Sequence, residues 1–304
     1  MERREFIKQL SHGVLLLSAA PLVSSCKGGG KPLRFGVVSD AHYAERKMQI
    51  NRYYRQSLDK MRQAVDRFNR SDLDFIIELG DLKDMGPDKD PAEALRFLDD
   101  IEGVLQSFRG PVYHVLGNHD EDCISKDDFL SHTHNPGRSK GKRHYAFLAK
   151  GLLCLVLDAN YNADLSEYDK GNFDWTSAWL PPEELAWLEE ELSAHRNTPT
   201  LIFIHQMLDR FSDIDKRLCV GNADEAVAIL EGHPQVLAVF QGHHHPGYYS
   251  YRKGIHYWTC GGMIESEFPA HNFYAVVEVR PGGDIFIEGF GDCRDRKLPR
   301  TTAT

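Results

Sequence analysis

Cysteine is scarce and badly spaced for metal binding: the chain has six in 304 residues. No pair stands in the CxxC arrangement, which argues against a zinc knuckle or a thioredoxin-like redox motif. Five remain when Cys26 is set aside, and an odd number cannot all pair. Cys154 lies in an apolar run and is expected in the core. Positive charge is also in deficit, with 36 Lys and Arg against 45 Asp and Glu and a formal charge of -9. No basic patch stands out, so nonspecific binding to a nucleic-acid backbone is not expected. A protein of this charge that handled phosphate would need positive charge from elsewhere, and metal ions are the obvious source. Internal repeats are absent, and the Gly28–Gly30 run is the only biased stretch. What remains is an ordinary globular composition, 41% apolar and 27% charged, long enough to bury a large core.

The N-terminus reads as a targeting segment in three parts. A charged start, MERREFIKQLSHG, is followed by the short apolar run VLLLSAAPLV and then by Val23-Ser24-Ser25-Cys26. The apolar run is too short to span a bilayer. Arg3-Arg4-Glu5-Phe6-Ile7-Lys8 resembles a twin-arginine export signal, and Val23–Cys26 resembles a lipobox whose cysteine is lipidated. The expectation is an exported bacterial cell-envelope or periplasmic protein, anchored to a membrane through Cys26. Residues 1–26 are then the signal, 27–32 a flexible tether, 33–290 the catalytic domain and 291–304 a C-terminal tail.

From residue 33 onward apolar runs alternate with helical periodicity. Strands are expected over 33–39, 74–79 and 111–116, with helices over 51–69 and 91–108 between them. The polar segment 121–143 reads as loop. Strands follow over 144–149 and 152–159, then a long loop over 160–180 rich in aromatics and acids, a helix over 182–195, a strand over 200–205, a short helix over 223–231 and a strand over 236–241. Three further strands over 254–260, 273–279 and 284–289 lack intervening helices, which implies an antiparallel portion. The pattern is α/β.

Hard-oxygen and imidazole donors fall just past the ends of these strands: Asp40 and His42, Asp81, Asn118 and His119, His205, then His243 and His245. Strand ends are where open α/β sheets place their ligands. An Asp after one strand is commonly a helix cap, and a lone His is commonly a satisfied core or surface residue. Five strand ends carrying such donors point to a metal site. In QGHHHPG, an extended backbone would put His243 and His245 on one side and His244 on the other.

These residues resemble the calcineurin-like metallophosphoesterase family: DxH at Asp40–His42, Gly80-Asp81, Gly117-Asn118-His119-Asp120, the strand-end His205, and GHxH at Gly242–His245. The resemblance covers roughly residues 33–290. It implies a four-layer sandwich, two packed mixed sheets flanked by helices. It implies two divalent ions (manganese, iron or zinc) with Asp81 bridging, Asp40, His42 and His245 on one ion, and Asn118, His205 and His243 on the other. A water between the ions would lose its proton and attack a phosphodiester or diphosphate. His119 would protonate the leaving oxygen, with Asp120 orienting it.

A finer resemblance, to the manganese-dependent ADP-ribose/CDP-alcohol diphosphatase branch, rests on Asn51–Leu58, PVYHVLGNHD, Gly254–Tyr257 and Gly262–Glu265. Two positions depart from it: His42 stands where that branch has Gln, and Cys260-Gly261 where it tends to carry Leu-Glu. The expected partner is a small phosphorylated substrate. Arg52 and Tyr53 are candidate contacts to it, or simply helix surface. Phe173, Trp175 and Trp179 either stack on the substrate or pin the 160–180 loop. His132 and His134 read as solvated surface. A general phosphodiesterase, an acid-phosphatase-like phosphomonoesterase and an inactive metal-binding scaffold are the alternatives.

Overall fold

The computed structural model describes residues 30–136 and 142–300. The signal, the lipobox cysteine and the first half of the tether lie outside the described residues. In chain order the elements are β1 (Leu33–Val38), α1 (Ser57–Asn69), β2 (Phe75–Glu78), α2 (Pro91–Leu105), β3 (Val112–His114) and α3 (Lys126–His132). Then come β4 (Tyr145–Ala149), β5 (Leu152–Val156), α4 (Pro182–Ala194), β6 (Thr200–Phe203), α5 (Ala223–Glu231) and β7 (Val236–Gln241). The chain continues through β8 (Tyr248–Arg252), β9 (Ile255–Thr259), β10 (Phe273–Val279), β11 (Ile285–Gly291) and β12 (Arg296–Leu298).

The strands form two six-stranded sheets. One runs β12-β11-β10-β1-β2-β3, the other β4-β5-β6-β7-β9-β8. In the first, β1, β2 and β3 are parallel and β10 to β12 antiparallel. In the second, β5, β6, β7 and β9 are parallel and β4 and β8 antiparallel. Both sheets are mixed, as the family resemblance implies.

Two-residue alternation explains the layering. Leu33, Phe35 and Val37 of β1 turn into the core between the sheets, where Phe35 stacks on Phe75 at 4.9 Å and meets Phe203 and Phe240 edge-on. On the other face of this sheet, α1 and α2 bury Met61, Phe68, Leu98 and Ile101. Gly36 sits under Phe68, and a Cβ there would come within 2.9 Å of that ring. Helices α4 and α5 cover the second sheet through Leu188, Leu192, Ala226 and Leu230. The result is helix, sheet, sheet, helix.

Four segments differ from expectation, one of them the edge strand β8, which no expected strand covers. The polar stretch after residue 121 contains α3, closed by a reciprocal cap in which Ser125 and Asp128 satisfy each other's backbone amides. Helix α1 starts at Ser57, after a short 3-10 turn at Tyr54–Gln56. Arg52 is therefore not on a helix; its backbone bridges Gln49 and Glu265 instead. The expected tail supplies β12, which pairs with β11 and buries Leu298. Among the described residues no helix is long and apolar enough to cross a membrane. The five described cysteines are all buried free thiols, Cys154 completely so.

Candidate metal centre

The ends of β1, β2, β3, β6 and β7 bring the expected donors together. His42 Nε2 lies 3.2 Å from His245 Nε2, and His245 Nε2 lies 3.5 Å from Asp40 Oδ1. His205 Nε2 is 3.3 Å from His243 Nδ1 and 3.2 Å from Asp81 Oδ2. Two donor triads draw on the expected ligands alone, Asp40, His42 and His245, and Asp81, His205 and His243; a third donor group joins His42 to Asp84 and His119. Asp81 joins the two triads. Its Oδ1 accepts the His119 backbone N–H at 2.6 Å, which leaves Oδ2 between His205 and His42, the latter at 3.5 Å.

The backbone is bent hard to achieve this. Asp40, His42, Asp81 and His243 have φ values of 52°, 47°, 58° and 68°. L-residues with side chains rarely occupy this left-handed region, and its cost is characteristic of functional sites. The His243 value also corrects the expectation of an extended histidine run. The chain turns here, and left-handed backbone at His243, not strand alternation, directs His243 and His245 to the donor cluster. His244 is in neither triad; its half-buried ring lies 6.3 Å from Tyr248. Close approach of two loops completes the frame. Gly80, at φ 96°, would bring a Cβ within 2.7 Å of both the Gly117 amide and His205 Nδ1.

Do these residues fit a divalent cation? Donors about 2.1 Å from one ion stand about 3.0–3.4 Å apart along the edges of its coordination shell. The facing nitrogens and oxygens above stand 3.2–3.5 Å apart. Asn118 is buried and its Oδ1 has no hydrogen-bond partner in the protein. A buried carbonyl oxygen in that state needs a cation or a water. The donor set of carboxylate, amide and imidazole suits a transition-series ion. The residues fit.

Electrostatics agree. Burial opposes ionisation of Asp81, yet His205, His119 and His42 hold its carboxyl well below the usual range. Asp40 is likewise held down, against burial, by His245 and His205. Burial pushes His42 down to about 4, against the pull of Asp81 and Asp84. Burial and the adjacent His205 bring His243 to about 3. These two imidazoles are neutral, the form that ligates metal. His205 moves the other way, to about 10, because Asp81 and Asp40 outweigh burial. A cation would displace that proton.

Two of the four candidate ligand rings are hydrogen-bonded from behind, and a third faces a carboxylate. His205 Nδ1 donates to the Leu79 carbonyl at 2.7 Å, and His245 Nδ1 lies 2.7 Å from Glu265 Oε1. His42 Nδ1 faces Asp84 Oδ2 at 3.5 Å, and the same oxygen lies 3.5 Å from His119 Nδ1. Such partners fix ring orientation and raise ligand basicity. Glu265 falls in a stretch that carried the family resemblance, but nothing local in the sequence marked Asp84. Its signal is that it follows the Gly80-Asp81 turn by three residues.

The role expected of Asp120 is corrected. Its carboxylate does not reach His119. It accepts from the backbone amides of Asp81, Leu82 and Gly117 at 3.0, 3.0 and 2.8 Å, so it braces the two metal loops against each other. Asp84 and Asp122 are the carboxylates that face His119 Nδ1, at 3.5 and 3.9 Å. Burial opposes protonation of His119, but Asp81, Asp122 and Asp84 carry its pKa well above the ordinary imidazole value. The side chain is 27% exposed, unlike the fully buried His42 and His205.

The other candidates separate. Phe173 stacks on the buried Tyr168 at 4.6 Å and pins the loop. Trp175 is 45% exposed, with its ring 6.1 Å from that of His243. Trp179 covers Gly221. Arg52 Nε lies 3.8 Å from Glu265, and the Tyr53 amide donates to the Ile264 carbonyl, which places both beside the Asp40 triad. His132 pairs with Asp99 at 2.7 Å on the surface.

Comparison with known proteins adds the following. The family described as calcineurin-like phosphoesterase matches residues 33–247. A manganese-dependent ADP-ribose/CDP-alcohol diphosphatase of Xenopus laevis is 24% identical, over 87% of this chain and 89% of its own length. The human protein of the same name is 24% identical, over 86% and 91%. Among solved structures, a dimetal phosphatase from Danio rerio has a TM-score of 0.74 at 21% identity, covering 88% of this chain and 99% of its own. A purple acid phosphatase from yellow lupin has a TM-score of 0.60 at 12% identity, over 89% and 53%.

Proposed function

We propose, from the premise that this chain belongs to the calcineurin-like phosphoesterase family and is a metal-dependent phosphoesterase, that it holds two divalent ions and hydrolyses the diphosphate of nucleoside-diphosphate derivatives such as ADP-ribose or CDP-alcohols. The observation that carries the reading is Asp81 Oδ2, 3.2 Å from a histidine of its own triad and 3.5 Å from one of the other. One anionic oxygen between two sets of donors is what two close cations require. Asp40, His42 and His245 would hold one ion, Asn118, His205 and His243 the other. Bound there, such ions supply Lewis acidity toward the phosphoryl oxygens and acidify a water.

The chain's own side chains do the rest. His119 is partly exposed, and against burial Asp81, Asp122 and Asp84 raise its basicity; its Nδ1 faces Asp84 Oδ2 at 3.5 Å, which leaves Nε2 to deliver a proton to the leaving oxygen. Asp84 touches both His42 and His119, so ligand position and acid position are set by one carboxylate. Trp175 offers a planar face beside His243 for a nucleobase. Manganese is the ion expected from the similar proteins' names. Export and lipid anchoring at Cys26 belong to the proposal through the N-terminal motifs.

The test uses residues 27–304 supplied with manganese, with ADP-ribose, CDP-choline, a bis-aryl phosphodiester and an aryl phosphomonoester as substrates. AMP from ADP-ribose or CMP from CDP-choline, separated by chromatography, is the expected result. Turnover of the aryl esters alone would leave a general phosphodiesterase or phosphomonoesterase. Two bound metals without turnover would make the chain a scaffold.

A further inference from the structure

The two ends of the strands differ in charge. Every donor of the metal centre follows the C-terminal end of a strand. The opposite end is formed by the segments that lead into the parallel strands and by the turns beside them: residues 30–34, 69–74, 106–111, 149–151, 195–199, 231–235, 252–254, 280–284 and 299–300. Direct contacts tie them together. Lys150 Nζ, on the second sheet, donates to the Pro32 carbonyl at 3.3 Å and pairs with Asp74 at 2.7 Å, both on the first. The Arg109 amide donates to Asn69 Oδ1 at 2.9 Å, and the Arg300 amide to Asp284 Oδ1 at 2.9 Å. These segments carry ten Lys and Arg against four Asp and Glu, in a chain whose formal charge is -9. No run of the sequence shows the excess, because no segment supplies more than two cations and only the fold gathers them.

The acids at this end are mostly engaged. Asp74 is held by Lys150, and Glu231 by Arg252 and Lys253 at 2.6 and 2.7 Å. Lys31, Arg70, Arg109, Arg196 and Arg300 are exposed, and none of the five forms an ion pair among the described residues. Arg70, Arg109 and Arg196 follow α1, α2 and α4, where a cation complements the helix dipole. That accounts for only part of the excess, because Lys31, Lys150, Lys253, Arg280 and Arg300 flank strands and follow no helix. Two observations select an occupant for this face. Its charge calls for an anionic partner. The chain that precedes the described residues also enters here, at Lys31 beside Pro32, five residues after Cys26.

We propose that this basic face docks on an anionic lipid bilayer, so that the metal centre opens on the side away from the lipid. The inference rests on the export-and-anchor reading above, to which it adds a surface and an orientation, and it is independent of the substrate. From Lys31 to Asp40 the chain advances about 25–30 Å in extended backbone. Charges are screened over about 8 Å at physiological salt. The face therefore attracts the bilayer without acting on the centre.

The test uses residues 27–304, which hold both six-stranded sheets and every core residue described above, sedimented with vesicles of phosphatidylcholine alone or mixed with phosphatidylglycerol. Binding to the anionic vesicles only, weakening as salt is raised, is expected. The triple variant Arg70→Gln, Arg109→Gln, Arg196→Gln should lower the partition coefficient about a hundredfold, about fivefold for each cation removed. Acylation of amines on the bound protein should be blocked at Lys31, Lys150 and Lys253, and unchanged at Lys89 and Lys216, which are exposed on the loops after β2 and β6. Equal binding to both vesicles, or a triple variant that binds like the wild type, overturns the docking face. Protection of Lys89 and Lys216 instead overturns the orientation. Binding to a DNA duplex as tight as to the anionic vesicles makes the face a general polyanion surface and overturns the lipid assignment. Labelled palmitate on the full chain made in bacteria, lost in Cys26→Ser, tests the anchor itself, so failure of the anchor and failure of the face are read separately.

Discussion

Two groups of buried charge occupy the same end of the molecule, and they are built on opposite plans. Beneath the β3 loop, Lys83 pairs with Asp122, and Lys126 pairs with Asp158 at 2.6 Å under the Tyr161 ring, all four side chains nearly inaccessible. Asp122 and Asp158 each have a resident ammonium. At the metal centre, Asp40, Asp81, His42, His205, His243 and His245 face one another with only imidazole protons between the carboxylates. Burying ionised groups without partners costs several kcal/mol each. The two lysine–aspartate pairs are complete as folded, although both oxygens of the adjacent buried Glu121 lack a hydrogen-bond partner. The second group has no lysine among its donors, and those donors fit a divalent ion. Position in a sheet does not distinguish them; the presence of lysine does.

Removing the joint between the triads should have the largest effect. Asp81→Asn is expected to lose bound metal, read by elemental analysis of purified protein, and with it nearly all turnover. Unchanged metal content would remove Asp81 from the bridging position. His119→Ala should retain metal but lose about 10²–10⁴ in kcat, most for poor leaving groups. Metal loss in that variant would make His119 a ligand. Lys126→Met probes the other group: it strands Asp158 and should cost about 3–5 kcal/mol in denaturant unfolding while leaving metal stoichiometry intact. If Lys126→Met instead emptied the metal centre, the two groups would have to be treated as one network.

A pH series sharpens the contrast at a third place. His114 sits between Glu78 and Glu102, at 3.3 and 3.2 Å. Burial lowers its basicity, but Glu102 and then Glu78 outweigh burial and bring it to about 10. A raised histidine stabilises the fold fully below its unfolded value of about 6.5. That contribution is lost as pH rises from there through about 10. Unfolding of the metal-loaded protein should show declining stability over this window, and His114→Gln should flatten the decline. The smallest effect is expected at the rim. Trp175→Ala should raise KM for nucleotide substrates about fivefold, the low end of base–aromatic stacking. An unchanged KM would remove Trp175 from the pocket.

Much of the architecture was legible in local pattern. Runs such as Leu33–Ser39 and Val236–Gln241 are apolar and β-branched, and the helices show one-sided periodicity. Helix α3 escaped notice because its segment is polar, although Ser125 and Asp128 form a capping signature that marks it. Strand β8, Tyr248–Arg252, lies at a sheet edge with every residue but one half-buried, so it shows no alternation to read. Arg52 left the expected helix because its backbone bridges Glu265, more than two hundred residues away. The orienting role expected of Asp120 failed for a related reason: four backbone amides compete for its carboxylate, and no side-chain pattern reveals them.

By itself the sequence determined which chemical groups arrive at the strand ends: two aspartates, an asparagine and five histidines, placed there by the alternation of apolar runs and turns. Tertiary structure alone decided which of them face each other, which ring is held by Asp84 or Glu265, and which acids are already neutralised by lysine. The reason is physical. Alternation and helical period are local and repeat along the chain. Register between two sheets, left-handed backbone at four donor residues and the pairing of buried charges depend on contacts between distant segments, and these exist only once the core has closed.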